Sequence, residues 1–350
     1  MNQPDKILIL RLSSIGDIIL SYPLIRNLRK KFPQARIDFM VAKKFRTVLT
    51  PIQNRLNNII VFDKSRGIQE IKARRQAIKN TGYDWILDIH SKPRTWLLLA
   101  FLQAQVFRIK KYQIRRWLFV KFGFKAYPAI PVHKKYLNTA PIKFKNLDPV
   151  YLKDCNSTKI SQKVSKSAPF IKENHPVVII FPGAKHATKR WLINNYMELA
   201  QRIVETTDLR VLLAGDQQDK KILEASQIDH PNISNICGKF SLLEIICLIS
   251  QCDLVISNDS GPMHIGALFR KPQIAIFGNT VTDFGFAPQN DRAIIVENSN
   301  LSCRPCSHIG YEECPKNHFK CMKEITVPRV YDEFFKLIQN FKFNSGSSKH

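Results

Sequence analysis

The sequence predicts an α/β protein of two doubly wound, parallel-sheet domains. Three observations carry that expectation. Short apolar runs alternate with helical patterns along the chain. The alternation occurs twice, on either side of a polar stretch at 153–175. The 350 residues suffice for two domains of ordinary size. Runs without a polar face are how strands read when helices cover both sides of a parallel sheet.

Lys6 to Leu12 is the first such run. Ser13-Ser14-Ile15-Gly16-Asp17 follows, then a helical pattern to about Lys31, stopped by Pro33. Arg36 to Val41, Asn58 to Phe62, Trp85 to Ile89 and Val106 to Ile109 read as strands, with a helix over Ile68 to Asn80. Ligands of doubly wound sheets bind beyond the carboxyl ends of the strands. The Ser13–Asp17 loop and the Asp88-Ile89-His90-Ser91 turn therefore fall on the ligand side. A second sheet starts at Val177 to Phe181. It continues through Leu209 to Ala214, Ile233 to Ile236, Asp253 to Ser257 and Gln273 to Phe277. Val327 to Phe341 has helical spacing. The expected division is a domain at 1–160, a second at 161–326, a closing helix at 327–343 and a disordered tail at 344–350.

Charge separates the two halves. Residues 1–170 hold 34 Lys and Arg against 9 Asp and Glu, whereas residues 171–350 hold 20 against 19. The first half is built to face something anionic: nucleic acid, an acidic membrane surface or a phosphorylated substrate. From Lys92 to Lys145 basic residues interleave with aromatics, among them Arg94, Trp96, Phe101, Arg115, Arg116, Trp117 and Lys121. That texture suits an interfacial surface with cations on phosphates, core helices with solvated basic faces, or aromatics stacked on single-stranded nucleic acid. No cationic stretch precedes a long apolar core at the N-terminus. The longest apolar run, Trp96 to Leu102, falls far short of the roughly 20 residues of a spanning helix. A cytoplasmic protein, peripheral on a membrane, is expected. Cys237, Cys247 and Cys252 lie in apolar segments and read as reduced core residues.

Five stretches have the residues for chemistry. In Ser257-Asn258-Asp259-Ser260-Gly261-Pro262-Met263-His264-Ile265-Gly266 a buried strand feeds a helix through small polar residues. Free N–H groups at such a helix start hold a phosphate, although a plain N-capped helix has the same residues. Asp17, in the first turn of a helix, reads as an accessible general base toward a hydroxyl, or as an acid complementing the helix dipole. The loop Phe181-Pro182-Gly183-Ala184-Lys185-His186-Ala187-Thr188-Lys189-Arg190-Trp191 puts cations near a diphosphate. Asp216 or Asp219, after the Leu209–Ala214 strand, stands where a carboxylate holds ribose hydroxyls. Cys303, Cys306, Cys314 and Cys321, with His308 and His318, contain one close CxxC pair but no common finger spacing, which leaves zinc or free thiols.

Arg11-Leu12-Ser13-Ser14-Ile15-Gly16-Asp17, the Gly183–Trp191 loop and Asn258-Asp259-Ser260-Gly261-Pro262-Met263-His264 occur in that order. Together they resemble glycosyltransferase family 9, the ADP-heptose:lipopolysaccharide heptosyltransferases. The resemblance spans nearly the whole chain, including Pro315-Lys316-Asn317-His318-Phe319-Lys320-Cys321-Met322. It implies a GT-B fold, two Rossmann-like domains facing across a cleft, with the acceptor on the N-terminal half and the nucleotide sugar on the C-terminal half. It implies inverting, metal-independent transfer, with no cofactor, of a heptose or related sugar from an ADP-sugar to a hydroxyl of the lipopolysaccharide inner core or lipid A. By position, Asp17 matches the family's proposed catalytic base and Lys189 the lysine on the donor phosphates. Asp259, Ser260 and Gly261 match the phosphate-binding turn, with Gly183 in the facing loop and His264 in the same motif. Asp219 falls near the ribose-binding carboxylate, with Asp where Glu is expected. Asn279 stands where relatives often have Pro. The anionic acceptor and the cytoplasmic face of the inner membrane would dock on Arg94, Arg115, Arg116 and Lys121, and nucleic acid is not an expected partner. The alternatives are a relative with another donor or acceptor, an epimerase, a scaffold without catalysis, and a basic nucleic-acid- or membrane-binding protein.

Overall fold

The structure, a computed structural model, describes residues 3–124, 128–155, 175–224 and 230–341. The expected tail at 344–350, the end of the closing helix at 342–343 and most of the polar linker lie outside them. The chain divides into two compact units: Met1–Tyr112 with Ile130–Val150, and Gln113–Ala129 with Tyr151–His350.

The first unit holds five parallel strands, β1 (Lys6–Leu10), β2 (Arg36–Ala42), β3 (Asn58–Phe62), β4 (Trp85–Asp88) and β5 (Gln105–Arg108), in the order β3-β2-β1-β4-β5. Ile7 to Leu10 are fully buried, because helices cover both faces of the sheet. Each such side chain contributes roughly 1.5–3 kcal/mol by leaving water. The helix Gly67–Thr81 ends at Gly82, whose φ of 63° is left-handed and whose N–H returns to the Ile78 carbonyl at 3.2 Å. Only glycine takes that conformation without steric cost.

The second unit holds six parallel strands, β6 (Val177–Phe181), β7 (Arg210–Leu213), β8 (Ile233–Asn235), β9 (Leu254–Asn258), β10 (Gln273–Phe277) and β11 (Ala293–Glu297), ordered β11-β10-β9-β6-β7-β8. Helix Val327–Asn340 buries Val330, Phe334 and Leu337, spaced to share one face. It meets helix Ile193–Thr206 through Tyr331, whose hydroxyl lies 2.7 Å from that of Thr206 and whose ring lies under Arg202.

In both sheets the first strand is central. The chain winds outward on one side, then crosses to the other. Strand order therefore reverses between β1 and β4, and again between β6 and β9. The Rossmann-like doubly wound fold is thus as expected, with four local differences. The helical pattern after Ser14 breaks into Ile15–Ile19 and Tyr22–Lys31. Pro23 has no N–H to continue the first helix and suits the first turn of the second. β11 is an edge strand whose residues are mostly half-buried, so it lacks the fully apolar texture of the others. Helix Gln113–Phe122 precedes residue 160 yet belongs to the second unit, where its buried Phe119 lies 5.7 Å from the Phe284 ring. Cys247 is not a free core thiol: it is disulfide-bonded to Cys155, 92 residues away, at a Cα separation of 4.9 Å. Cys237 and Cys252 are free and buried, as expected.

Candidate active site

A doubly wound sheet opens a crevice where its strand order reverses, because neighbouring connections leave to opposite faces. In the first unit that point lies between the ends of β1 and β4. The chain leaving β1 reaches Asp17 at the third position of helix Ile15–Ile19. Asp17 Oδ2 accepts from the Ser14 N–H at 3.0 Å and the Ser14 hydroxyl at 2.8 Å, which closes the helix start. Oδ1 pairs with Arg11 Nη2 at 2.5 Å and accepts from the Tyr136 hydroxyl at 3.0 Å. Asp17 therefore both caps the helix and carries a second set of contacts that capping does not need. Arg11 is itself fixed, donating through Nε to the Ser13 carbonyl at 2.6 Å and through Nη1 to the Ile89 carbonyl at 2.5 Å. One guanidinium so ties the loop after β1 to the turn after β4.

The expectation of an accessible carboxylate is corrected: the Asp17 side chain is only 12% exposed. Burial alone would push its pKa up. The Arg11 charge, with the Ser14 N–H and hydroxyl, outweighs burial and holds Asp17 below the ordinary carboxylate range. Asp17 is thus ionised at neutral pH despite burial. Tyr136, pushed far up by burial, keeps its proton and stays a donor.

The second unit repeats the arrangement between β6 and β9. Asn258, at the end of β9, is fully buried. Its Oδ1 accepts from the Trp191 N–H and the Tyr196 hydroxyl, both at 2.9 Å, and its Nδ2 donates to the Pro182 carbonyl at 2.7 Å. One amide therefore fastens the 182–191 loop to β9. That loop delivers Lys189, whose Nζ lies 2.5 Å from Asp259 Oδ2. The Thr280 hydroxyl donates to the same oxygen at 2.7 Å. Burial would raise the Asp259 pKa, but Lys189, then Thr280 and His264, hold it down. Ser260 stands at the N-cap position of helix Gly261–Leu268 without a side-chain capping bond, and its Oγ is enclosed without a hydrogen-bond partner. His264 is buried in the same helix, 6.5 Å from the Phe286 ring. An ammonium has three N–H groups. One is spent on Asp259, which leaves others for an anion at the helix N-terminus.

Gly183 and Asp219 meet in this unit. A Cβ at Gly183 or Gly215 would stand within 2.4 Å of an Asp219 carboxylate oxygen, so both glycines are required by close approach. Asp219 Oδ2 accepts from the Asp216 N–H at 2.9 Å, and burial pushes its pKa up. The Cys-rich segment lies against the 182–191 loop: the Tyr311 N–H donates to Thr188 Oγ1 at 2.8 Å, and Arg304 Nη2 donates to the Thr280 carbonyl at 2.8 Å. Cys303 Sγ is 3.7 Å from His318 Nε2, but no three His, Cys, Asp or Glu side chains among the described residues form a metal-holding group. Cys303, Cys306, Cys314 and Cys321 are free cysteines, the first three half-buried and Cys321 buried.

The four expected docking cations do not fall in one unit. Arg94 is in helix Pro93–Leu98 of the first; Arg115, Arg116 and Lys121 are in helix Gln113–Phe122 of the second. Arg94, Arg115 and Lys121 are exposed and Arg116 is half-buried. Trp96 and Phe101 are exposed in the first unit, Phe101 to 97%, and Ile114, Trp117, Phe122 and Phe124 are exposed in the second. Among the described residues no helix is long and apolar enough to cross a membrane.

Residue-level reading found Lys189 but missed Arg11, Tyr136 and Thr280, the other partners of the two aspartates. Arg11 had a signal, as the one charge between Ile7 and Leu12. Tyr136 and Thr280 had none, standing 119 and 21 residues from the carboxylates they serve.

The model of glycosyltransferase family 9 (heptosyltransferase) matches residues 71–316. The chain is 27% identical over 335 residues to lipooligosaccharide heptosyltransferase 2 of Campylobacter jejuni, covering 93% of this chain and 96% of that one. Its fold is similar to that of the Escherichia coli ADP-heptose lipopolysaccharide heptosyltransferase II, with a TM-score of 0.71, 22% identity and coverage of 96% and 99%. It is similar too to a family 9 glycosyltransferase of Veillonella parvula, with a TM-score of 0.76, 19% identity and coverage of 97% and 99%.

Proposed function

The chain belongs to glycosyltransferase family 9, the heptosyltransferases, and from that premise we propose that it moves a heptose from ADP-heptose to a hydroxyl of an anionic lipopolysaccharide inner-core acceptor, with inversion and without a metal. The observation that carries the reading is the pair of aspartate–cation contacts, one at each sheet's point of strand reversal. The first unit takes the acceptor. Asp17, ionised and fixed by Arg11 and Tyr136, receives the proton of the attacking hydroxyl. The second unit takes the donor. Lys189 and the N–H groups at Ser260 and Gly261 stabilise the charge that grows on the diphosphate as the sugar leaves. The Lys189 ammonium and a helix N-terminus supply there the charge that a divalent ion supplies in other nucleotide-sugar enzymes. Asp219, beside Gly183, takes the ribose hydroxyls, and His264 lines the same donor pocket.

Calorimetric titration with ADP, UDP and GDP, without added metal, tests the donor half. Selective ADP binding is expected, and turnover of ADP-heptose should persist in a chelator. Preference for UDP or GDP discards the heptose donor. Binding to any duplex, steeply salt-dependent and without ADP affinity, replaces the enzyme by a nucleic-acid-binding protein.

The acceptor sits on a lipid, so the enzyme works as a peripheral protein at the cytoplasmic face of the inner membrane. The support is the company that the cations keep. Trp117 and Ile114 lie on the exposed face of helix Gln113–Phe122, opposite the buried Phe119, and Lys121 lies over the Trp117 ring at 5.0 Å. Aromatics with cations on one helix face suit an anionic headgroup region. Charge reversal at Arg115, Arg116 and Lys121, at roughly 1 kcal/mol per cation, should cut binding to anionic vesicles at least tenfold in a sedimentation assay. Unchanged binding makes these residues an ordinary solvated face.

A further inference from the structure

His90 belongs to the turn after β4, on the opposite side of the first-unit crevice from the Asp17 loop. The turn is rigid. Asp88 Oδ1 accepts from the His90 N–H at 3.1 Å and the Ser91 N–H at 2.7 Å, while Thr95 holds Oδ2 at 2.9 Å. Lys111 Nζ donates to the His90 carbonyl at 2.6 Å and also to that of Ser91. Arg11, whose guanidinium grips Asp17, donates to the carbonyl of Ile89, the preceding residue. Five hydrogen bonds therefore hold the backbone of the 88–91 turn, a sixth holds the Asp88 side chain, and none of them uses the imidazole of His90.

His90 is buried, with 8% of the residue exposed, and its Nδ1 is enclosed with no hydrogen-bond partner. A buried polar side chain without a partner is uncommon in a region this well fixed, and it asks for an explanation. Arg11, Lys111, Asp17 and Lys64 are its charged neighbours. Burial, then the Arg11 and Lys111 charges, pull its pKa down to about 3. The neutral ring has one N–H. An enclosed lone pair is tolerated more readily than an enclosed N–H, so the proton belongs on Nε2, the nitrogen that is not enclosed.

We propose that His90 is an acceptor-binding residue, donating its Nε2–H to an oxygen of the acceptor sugar and so turning the neighbouring hydroxyl toward Asp17. This rests on the heptosyl-transfer reading and extends it. Proton abstraction is the task of Asp17; His90 touches the acceptor but exchanges no proton. The ligand class is an oxygen-rich, anionic sugar, which Arg11 and Lys111 favour by charge and the His90 N–H fixes by direction.

The test uses the full-length enzyme, with deacylated lipopolysaccharide inner-core oligosaccharide as the probe. It is titrated into the wild type, His90→Ala and His90→Gln, and the three are compared in turnover of ADP-heptose. His90→Ala should weaken oligosaccharide binding and raise its KM about tenfold, the loss of one directional hydrogen bond. The ADP dissociation constant and the melting temperature should stay at the wild-type values. His90→Gln, which keeps an N–H donor at similar reach, should recover most of the binding. Unchanged oligosaccharide binding by His90→Ala overturns the proposal. So does an equal loss of ADP and oligosaccharide affinity, or a fall in melting temperature with no rescue by Gln, because either marks a purely structural residue. Wild-type turnover is the separate gauge of the heptosyl reading. An active wild type with an indifferent His90→Ala removes His90 alone, whereas a wild type that neither binds the oligosaccharide nor uses ADP-heptose removes both.

Discussion

Asp17 and Asp259 are the same device built twice with different cations. Each carboxylate is buried at a point of strand reversal, lies 2.5 Å from a positive group and accepts a further hydroxyl. Each is held ionised against burial by that charge. The cations differ in freedom. Arg11 uses three of its nitrogens at once, on Ser13, Ile89 and Asp17, so its fork is locked in the backbone of both flanking loops. Lys189 is a point charge on a flexible stem, with one of its donors on Asp259. A locked fork suits a carboxylate that must stay in place for a proton. A flexible ammonium suits a site where an anion arrives and departs. The choice of Arg or Lys thus separates a positioned base from an adjustable anion holder, although the two pairs have the same length.

The largest effect expected from this contrast is at Asp17. Asp17→Asn keeps the shape and removes the charge, so transfer should fall by about 10²- to 10⁴-fold, the range of a general base. ADP affinity should not change, because the donor pair lies in the other unit. Single-turnover assays and calorimetry separate the two quantities. A parallel loss of ADP binding erases the distinction between the sites.

Next comes Lys189. Lys189→Met should weaken ADP by about 10- to 100-fold, the worth of a charge-assisted contact of roughly 1.5–3 kcal/mol. It also strands Asp259, and breaking a buried pair costs about 3–5 kcal/mol of stability. Lys189→Met with Asp259→Asn should restore the melting temperature without restoring ADP affinity. If the double variant binds ADP like the wild type, Lys189 serves only to neutralise Asp259.

Much of this pairing was legible in the sequence and part of it was not. The strands showed because a sheet covered on both faces needs uninterrupted apolar residues, as in Val177–Phe181. Asp17, Lys189 and Asp259 showed because loops after such strands carry the ligand residues. Their partners did not. Tyr136 reaches Asp17 from a short helix 119 residues away, and Thr280 reaches Asp259 from the end of the next strand. Such contacts arise from tertiary packing and leave no local periodicity. The disulfide between Cys155 and Cys247 was hidden for the same reason, since Cys155 lies within the polar stretch at 153–175 with no sign of a core partner. His90 was placed on the ligand side, but its unpartnered ring nitrogen is a property of the packed crevice alone.

The smallest effect separates the fork from the charge. Arg11→Lys keeps a cation beside Asp17 but can hold only one of the three partners well. The lost contacts to Ser13 and Ile89, at about 1 kcal/mol each, should lower the melting temperature by roughly 2–4 °C per kcal/mol. The Asp17 pKa is depressed in the folded state, so its stabilising contribution is complete above the ordinary carboxylate range and disappears as pH falls through the lowered folded value. With a looser cation that value rises. Acid unfolding should then begin at higher pH, and the acidic limb of the kcat/KM profile should move the same way. Lysine in place of arginine thus makes the Asp17 pair resemble the Lys189–Asp259 pair. If neither limb moves, the charge alone sets the behaviour of Asp17, and the fork of Arg11 serves only to join the loops after β1 and β4.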